Sequence, residues 1–302
     1  MKNVKLEGII STVVTPFNED DSINEELLRQ EVRYLLGADI HGICACGTTG
    51  EGEKLSVRES ARVCEIVVEE VKGRIPVVGG IIQNSTETVI EYGRALKAVG
   101  VDALQITPVH YIFYPDNDGQ VDFYRKIGEA LDLPIIIYNV VPWAMLQMDV
   151  IERLVEIPHV VGIKQSGGDI HLIADLLCKV KDKIAILAAV DDLHFPAFVM
   201  GCHGALAAIP TVTPYLSVQL WNEVQAGNYD TALKLHETIL PIWRSIEGHN
   251  STSRIKEALR LQGRPVGNAR HPLGPVTKEE SAKIYEAIKN AGLLAKEFQG
   301  IS

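Results

Sequence analysis

The sequence is short of positive charge: 29 lysines and arginines stand against 39 aspartates and glutamates, a formal net charge of -10. No basic cluster interrupts that excess, which argues against nucleic acid or an anionic membrane as a partner. Long apolar runs are missing as well, and no stretch approaches the roughly 20 apolar residues that cross a bilayer. The opening residues, Met1 to Glu7, lack the apolar centre of a secretory signal. Cysteine is sparse, and the five present form an odd set that makes no secreted disulfide framework. Cys44 and Cys46 stand too close together for a structural zinc site and read as small buried fillers. No histidine pair has metal-binding spacing, and no glycine-rich nucleotide loop or Gly-x-Ser-x-Gly elbow occurs. These absences predict a reduced, cytoplasmic protein that acts on a small molecule without a metal or cofactor.

What the chain does have is apolar material in a regular rhythm. Hydrophobic residues make up 46% of 302 positions, enough for a large core. Short β-branched runs are predicted as strands at Gly8 to Val14, Ile40 to Cys46, Ile75 to Ile82, Ala103 to Thr107, Pro134 to Tyr138, Val160 to Lys164, Ile184 to Ala188 and Gly204 to Ile209. Between them, helical spacing falls at Asn24 to Leu36, from Ser56 (a capping box with Glu59), and at Thr86–Ala98, Val121–Leu131, Met148–Glu156, Asp169–Lys179 and Leu193–Met200. A helix near Pro214 to Gln225 completes eight units. Runs with little alternation suit parallel strands covered on both faces, so the expected fold is α/β, a (β/α)₈ TIM barrel. An open doubly wound sheet would show the same alternation, so closure is not decided by periodicity. The remainder reads as helix at Tyr229–Ile246, Ser253–Leu261 and Lys278–Ala291, with Gly263–Pro275 as a loop. The expected organisation is a barrel over residues 1–225 and a helical extension over 226–302.

In such a barrel the C-terminal strand ends face the active site. Those ends carry Gly47-Thr48-Thr49-Gly50-Glu51, Thr107-Pro108-Val109-His110-Tyr111, Tyr138-Asn139, Lys164-Gln165-Ser166 and Asp191-Asp192. Lys164 leaves an apolar strand, so its amine is expected to be desolvated and available as a nucleophile toward a carbonyl. The plainer reading is a lysine that reaches solvent or pairs with Asp191. Tyr138, one strand away, could act as general acid and base, or could simply hydrogen-bond in the interior. The Gly-Thr-Thr-Gly turn suits a carboxylate, although an ordinary strand-to-helix turn explains it equally well. Asp191 could recognise hydroxyls or could cap the helix expected from Leu193.

With these residues assembled, the chain resembles the dihydrodipicolinate synthase / N-acetylneuraminate lyase family over nearly its whole length. The resemblance is carried, in order, by Val14-Thr15-Pro16-Phe17, Gly47-Thr48-Thr49-Gly50-Glu51, Tyr138-Asn139, Gly162-Ile163-Lys164 and Gly292-Leu293-Leu294. It implies a class I lyase or aldolase that makes or breaks a C–C bond between pyruvate and an aldehyde. Lys164 would form a Schiff base with C2 of the 2-oxo acid, Thr48 and Thr49 would hold its carboxylate, and Tyr138 would relay protons. The Leu206 carbonyl would face the bound acid, and Ser166 would stand beside it. The departures bear on the acceptor. Synthases of the family typically carry an arginine five residues after the strand-five tyrosine, for the distal carboxylate of aspartate semialdehyde. That position is Trp143 here, which argues against that acceptor and makes the pocket more apolar. His110 or Tyr111 would replace a relay tyrosine on a loop that in relatives reaches a neighbouring subunit, which implies a homotetramer built from dimers. Asp191 resembles one of the acidic residues with which sialic acid lyases grip a polyhydroxylated substrate. A dehydratase or deaminase using the same imine, and a non-catalytic 2-oxo acid binding protein, are the alternatives.

Overall fold

The computed structural model describes residues 4–167 and 169–296. Met1 to Asn3, part of the stretch read for a signal, and the last residues of the helical tail lie outside them. Eight parallel strands close into a barrel in chain order: β1 (Gly8–Thr12), β2 (Gly42–Ala45), β3 (Val77–Ile81), β4 (Ala103–Ile106), β5 (Ile135–Asn139), β6 (Val160–Gln165), β7 (Ala185–Ala188) and β8 (Gly204–Ala207). Closure is sealed where β8 pairs with β1, Leu206 opposite Ile10. Glycine is required at that seam: a Cβ on Gly204, at φ +156°, would lie 2.0 Å from the Gly8 carbonyl oxygen. The Thr12 hydroxyl, 2.8 Å from that of Thr211, adds a buried side-chain link across the same seam.

Helices follow the strands on the outside: α1 (Glu25–Gly37), α2 (Val57–Val71), α3 (Thr86–Ala98), α4 (Asn117–Leu131), α5 (Met148–Leu154), α6 (Ile170–Lys179), α7 (His194–Val199), α8 (Ile209–Val212) and α9 (Pro214–Gln225). After residue 226 come α10 (Tyr229–Ile246), α11 (Ser251–Leu261) and α12 (Lys278–Asn290). The predicted capping box at Ser56 and Glu59 is present. Two boundaries differ instructively. Helix α4 begins a turn earlier than the apolar pattern at Val121 indicates, because the Asp116 side chain accepts from the Gly119 amide and caps four more residues, Asn117 to Gln120, into the helix. Strand β8 stops at Ala207, and Ile209, expected in the strand, opens α8. Pro210 lies in the first turn of α8, where its missing N–H costs nothing.

The period of two along each strand separates two cores. Outward residues such as Ile135, Ile137, Ile163 and Ile186 join the large core under the helices, whereas Ile10, Cys44, Val78, Ala103, Ile136, Leu187 and Leu206 fill the barrel interior. Cys46 faces outward against Cys64, the two free thiols in a sulfur–sulfur hydrogen bond at 3.9 Å, so the first two cysteines are buried fillers, one in each core. Two residues beyond Ile136 on β5 is Tyr138, and two beyond Gly162 on β6 is Lys164. Both therefore point inward, directly above the apolar interior, and they are register partners.

Candidate active site

Lys164 is 5% exposed, with its ammonium 4.1 Å from the centroid of the Tyr138 ring. It neither snorkels to solvent nor pairs with Asp191: among the described residues no carboxylate lies within ion-pair distance of it. The Tyr138 hydroxyl and the Thr48 hydroxyl are 3.0 Å apart, so phenol, threonine and lysine form one contiguous group contributed by β5, the loop after β2, and β6. Asn139, the neighbour of Tyr138, faces away from the interior and holds the scaffold. Its side-chain amide donates to Gln165 Oε1 and the Leu146 carbonyl, and its carbonyl accepts from the Ser166 amide.

The turn that carries Thr48 and Thr49 is built into the protein from below. Cys46 and Glu51 take φ +57° at its two ends, and Gly52 is obligatory, since a Cβ there would lie 1.8 Å from the Cys46 carbonyl oxygen. The Thr15 hydroxyl donates to the Gly50 carbonyl at 2.6 Å, which explains why the Val-Thr-Pro-Phe and Gly-Thr-Thr-Gly motifs occur together. Glu51 is fully buried. Its Oε2 accepts from Lys54 Nζ and from the Arg270 amide, both at 2.9 Å, and its Oε1 is in ion-pair contact with Lys256 at 2.9 Å. The turn is thereby tied to α11 and to the loop that follows it.

Thr48, Thr49, Tyr138, Lys164, Ser166 and Asp191 line one cavity of about 250 Å³. Asp191 is buried, and its Oδ1 accepts from the Ile209 amide. It therefore caps α8, which follows the adjacent strand β8, and not its own helix: α7 begins after Leu193, without a side-chain cap. Burial pushes the Asp191 carboxyl up to about 6, against the opposing pull of the Ile209 amide and the Lys164 ammonium. Asp192 points elsewhere, into an ion pair with Arg244 at 2.6 Å, so the acidic pair divides its labour.

Three of the side chains expected at the site, Trp143, His110 and Tyr111, are not in the cavity wall. Trp143 is 63% exposed, and its indole donates to the His110 carbonyl at 2.8 Å, so it does not make the pocket apolar as expected. The short 3₁₀ turn Pro142–Ala144 carries its ring outward to the next loop. His110 is held by Pro108 and Asn84, and Tyr111 is 76% exposed. The expectation for Leu206 concerned its backbone carbonyl; its side chain lies in the barrel interior, and the next two residues, Ala207 and Ala208, line the cavity. The wall that sequence reasoning missed comes from the tail: Trp243 on α10 and Ser251, Thr252 and Ile255 on α11. The Arg244–Asp192 ion pair, one residue from Trp243, fastens α10 to the rim. Nothing local in the sequence marks these residues, because their approach depends on how the tail helices pack. Among the described residues, no three His, Cys, Asp or Glu side chains gather as a metal-binding group.

The sequence model of the Dihydrodipicolinate synthetase family matches residues 5–291. The chain is 34% identical over 294 residues to the 4-hydroxy-tetrahydrodipicolinate synthase of Methanopyrus kandleri, covering 96% of this chain and 98% of that one. Among solved structures, dihydrodipicolinate synthase DapA-2 from Bacillus anthracis superposes with a TM-score of 0.89 at 31% identity, over 94% of this chain and 98% of that one. The chloride-inhibited dihydrodipicolinate synthase from Acinetobacter baumannii, complexed with pyruvate, gives 0.89 at 28% identity, over 95% and 99%.

Proposed function

The chain belongs to the Dihydrodipicolinate synthetase family, a family of class I pyruvate-dependent lyases and aldolases, and from that membership we propose that Lys164 forms a Schiff base with pyruvate or a longer 2-oxo acid. The observation that carries the reading is the placement of a buried, carboxylate-free lysine amine against Tyr138, in the cavity that Thr48 and Thr49 also line. The neutral amine attacks C2, water leaves, and the protonated imine becomes an electron sink. Thr48 and Thr49 receive the substrate carboxylate at the turn. The Tyr138 phenol, hydrogen-bonded to Thr48, carries protons to and from the carbinolamine and C3. With the sink in place, the C3–C4 bond of a 4-hydroxy-2-oxo acid breaks to an aldehyde and an enamine, or forms in the reverse direction.

The charged side chains lining the cavity are Lys164 and Asp191 alone among the described residues. No guanidinium stands there to receive a second carboxylate, which supports an uncharged aldehyde over aspartate semialdehyde as the partner. The name of the Methanopyrus relative favours a second reading, a condensation that forms 4-hydroxy-tetrahydrodipicolinate. We also assign the protein to the cytoplasm and to a homotetramer built from two dimers. The assembly is supported by Tyr111, Ile112, Phe113 and Tyr114, which stand exposed in a row beside Trp143.

Incubation with pyruvate and borohydride, followed by intact mass and peptide mapping, tests the chemistry. A reduced pyruvyl adduct on Lys164, lost in Lys164→Arg, is expected. Absence of an adduct with pyruvate and with longer 2-oxo acids refutes the imine and favours a binding protein. Release of pyruvate from neutral 4-hydroxy-2-oxo acids, set against its consumption with aspartate semialdehyde, separates the two enzymatic readings.

A further inference from the structure

Making and breaking an imine moves one water molecule. When Lys164 condenses with a 2-oxo acid, the C2–O bond of the carbinolamine breaks. The oxygen leaves as water with a proton from Tyr138, and the nitrogen lone pair becomes the C=N π bond. Hydrolysis runs the same step backwards: a water oxygen attacks C2, its proton returns to Tyr138, and the π pair returns to nitrogen. The interior beneath Lys164 is largely apolar, so a place for that water has to be built from the few polar groups within it.

Gln105 is such a group. It lies on β4, two residues beyond the interior Ala103, and is fully buried. Its Oε1 accepts from the Cys44 thiol at 3.7 Å, whereas its Nε2 has no hydrogen-bond partner among the described residues. A buried amide donor is costly unless something accepts from it. Thr107, two residues further along the same face, carries an unpartnered hydroxyl as well.

Space lies beside the amide. A Cβ added to Gly47, at the root of the Thr48 turn, would meet only Gln105 Nε2 at 3.6 Å and Cys44 Sγ at 3.9 Å. Room for one small group therefore remains between the turn and β4. Gly80, the register partner of Gln105 on β3, lets the Cys46–Gly47 backbone pass over it, since a Cβ there would lie 2.5 Å from the Cys46 carbonyl oxygen. The space is close to the imine lysine: burial pushes the Cys44 thiol up to about 12, and the opposing pull comes from the Lys164 ammonium. The thiol thus stays protonated, and the amide is the strong donor facing the space.

We propose that Gln105 and Gly47 hold one internal water beneath the Thr48 turn, and that Gln105 is the positioning residue for the water exchanged as the Lys164 imine forms and hydrolyses. A water oxygen has two lone pairs, so one accepts from Gln105 Nε2 and the other remains to attack C2. Gln105 touches neither substrate nor lysine and acts through the water alone.

The role of the water rests on the imine reading, and the experiment keeps the two apart. Gln105→Met keeps the length of the side chain and removes the donor. Gly47→Ala keeps the donor and fills the space, without backbone strain because Gly47 takes no positive φ. A crystal structure of the substrate-free wild-type protein should show an ordered water within about 3.2 Å of Gln105 Nε2, lost in both variants. Each protein is then loaded with ¹³C-labelled pyruvate in heavy water, chased with unlabelled pyruvate and quenched with borohydride over time. Decay of the labelled adduct measures imine hydrolysis, and deuterium uptake at C3 of the adduct measures a step that consumes no water. The ratio of hydrolysis to C3 exchange is expected to fall by about tenfold in either variant, the rate equivalent of one hydrogen bond. A structure with ordered water elsewhere but none at Gln105 overturns the site. A ratio within about twofold of wild type overturns the role, and either variant decides it if the other does not fold. Wild-type protein that traps no labelled pyruvate removes the imine, and the role with it, while the crystal structure still judges the water site.

Discussion

Removing the Lys256 ammonium with Lys256→Met should cost stability and loosen the turn that carries Thr48 and Thr49. The methionine retains most of the stem but deletes the ion pair to Glu51 at 2.9 Å and the donations to the Thr15 and Asn268 carbonyls at 2.8 and 2.9 Å. Stripping one partner from a buried pair typically costs about 3–5 kcal/mol, because the other charge is left in low dielectric. Here Lys54 and the Arg270 amide still serve Glu51 Oε2, so the lower end, about 3 kcal/mol, applies. An unfolding entropy of about 2.1 cal/mol/K per residue gives roughly 0.6 kcal/mol/K for this chain, and hence a fall in Tm of about 5 °C. The double variant Glu51→Gln/Lys256→Met removes the buried carboxylate and leaves only Lys54, which also donates to the Arg270 carbonyl, without its carboxylate partner, and should recover at least half of that loss. Thermal melts of Lys256→Met, Glu51→Gln and the double variant measure the effect, and pyruvate titration of borohydride trapping reports the turn. A Tm drop below about 1 °C for Lys256→Met, or a double variant no better than the sum of the singles, refutes the reasoning.

Tyr138→Phe should still bind pyruvate at the Thr48 turn, but its turnover should fall by about 10²–10⁴-fold, as for a lost general acid–base group; steady-state kinetics with pyruvate-C3 exchange would show it, and near wild-type exchange would remove Tyr138 from the relay. Gly52→Ala should fail to accumulate as folded protein, since its Cβ would overlap the Cys46 carbonyl oxygen; a soluble variant with an unchanged Tm would contradict that geometry. Burial lowers His194 from 6.5 to about 3 and leaves its Nε2 without a hydrogen bond among the described residues. Its folded value is depressed, so the stability it contributes is present above about 6.5 and is lost as pH falls toward 3. About 2 kcal/mol of it should be gone by about pH 5. His194→Leu should show a flatter dependence of Tm on pH over that window, and an unchanged slope would show that His194 is not its source.

The rhythm of apolar runs, the turn motifs and the strand-end residues were legible in the sequence because each is a local property. Strand ends point where the fold sends them once the period of two is known, so Lys164, Tyr138 and the double threonine could be named in advance. Tertiary packing decided the rest. Closure of the sheet depends on a seam between residues almost two hundred positions apart, at Gly8 and Gly204, and no periodicity records it. Asp191 caps α8 because the pairing of β7 with β8 brings Ile209 beside it, whereas local rules allowed only its own helix. Trp143 and Trp243 exchanged the expected role for the same reason. A 3₁₀ turn sends the first outward to His110, and the Asp192–Arg244 ion pair brings α10, which carries the second, onto the site. Side chains that meet through distant helices leave no spacing to read, and the wall that α10 and α11 give this cavity is built from such residues.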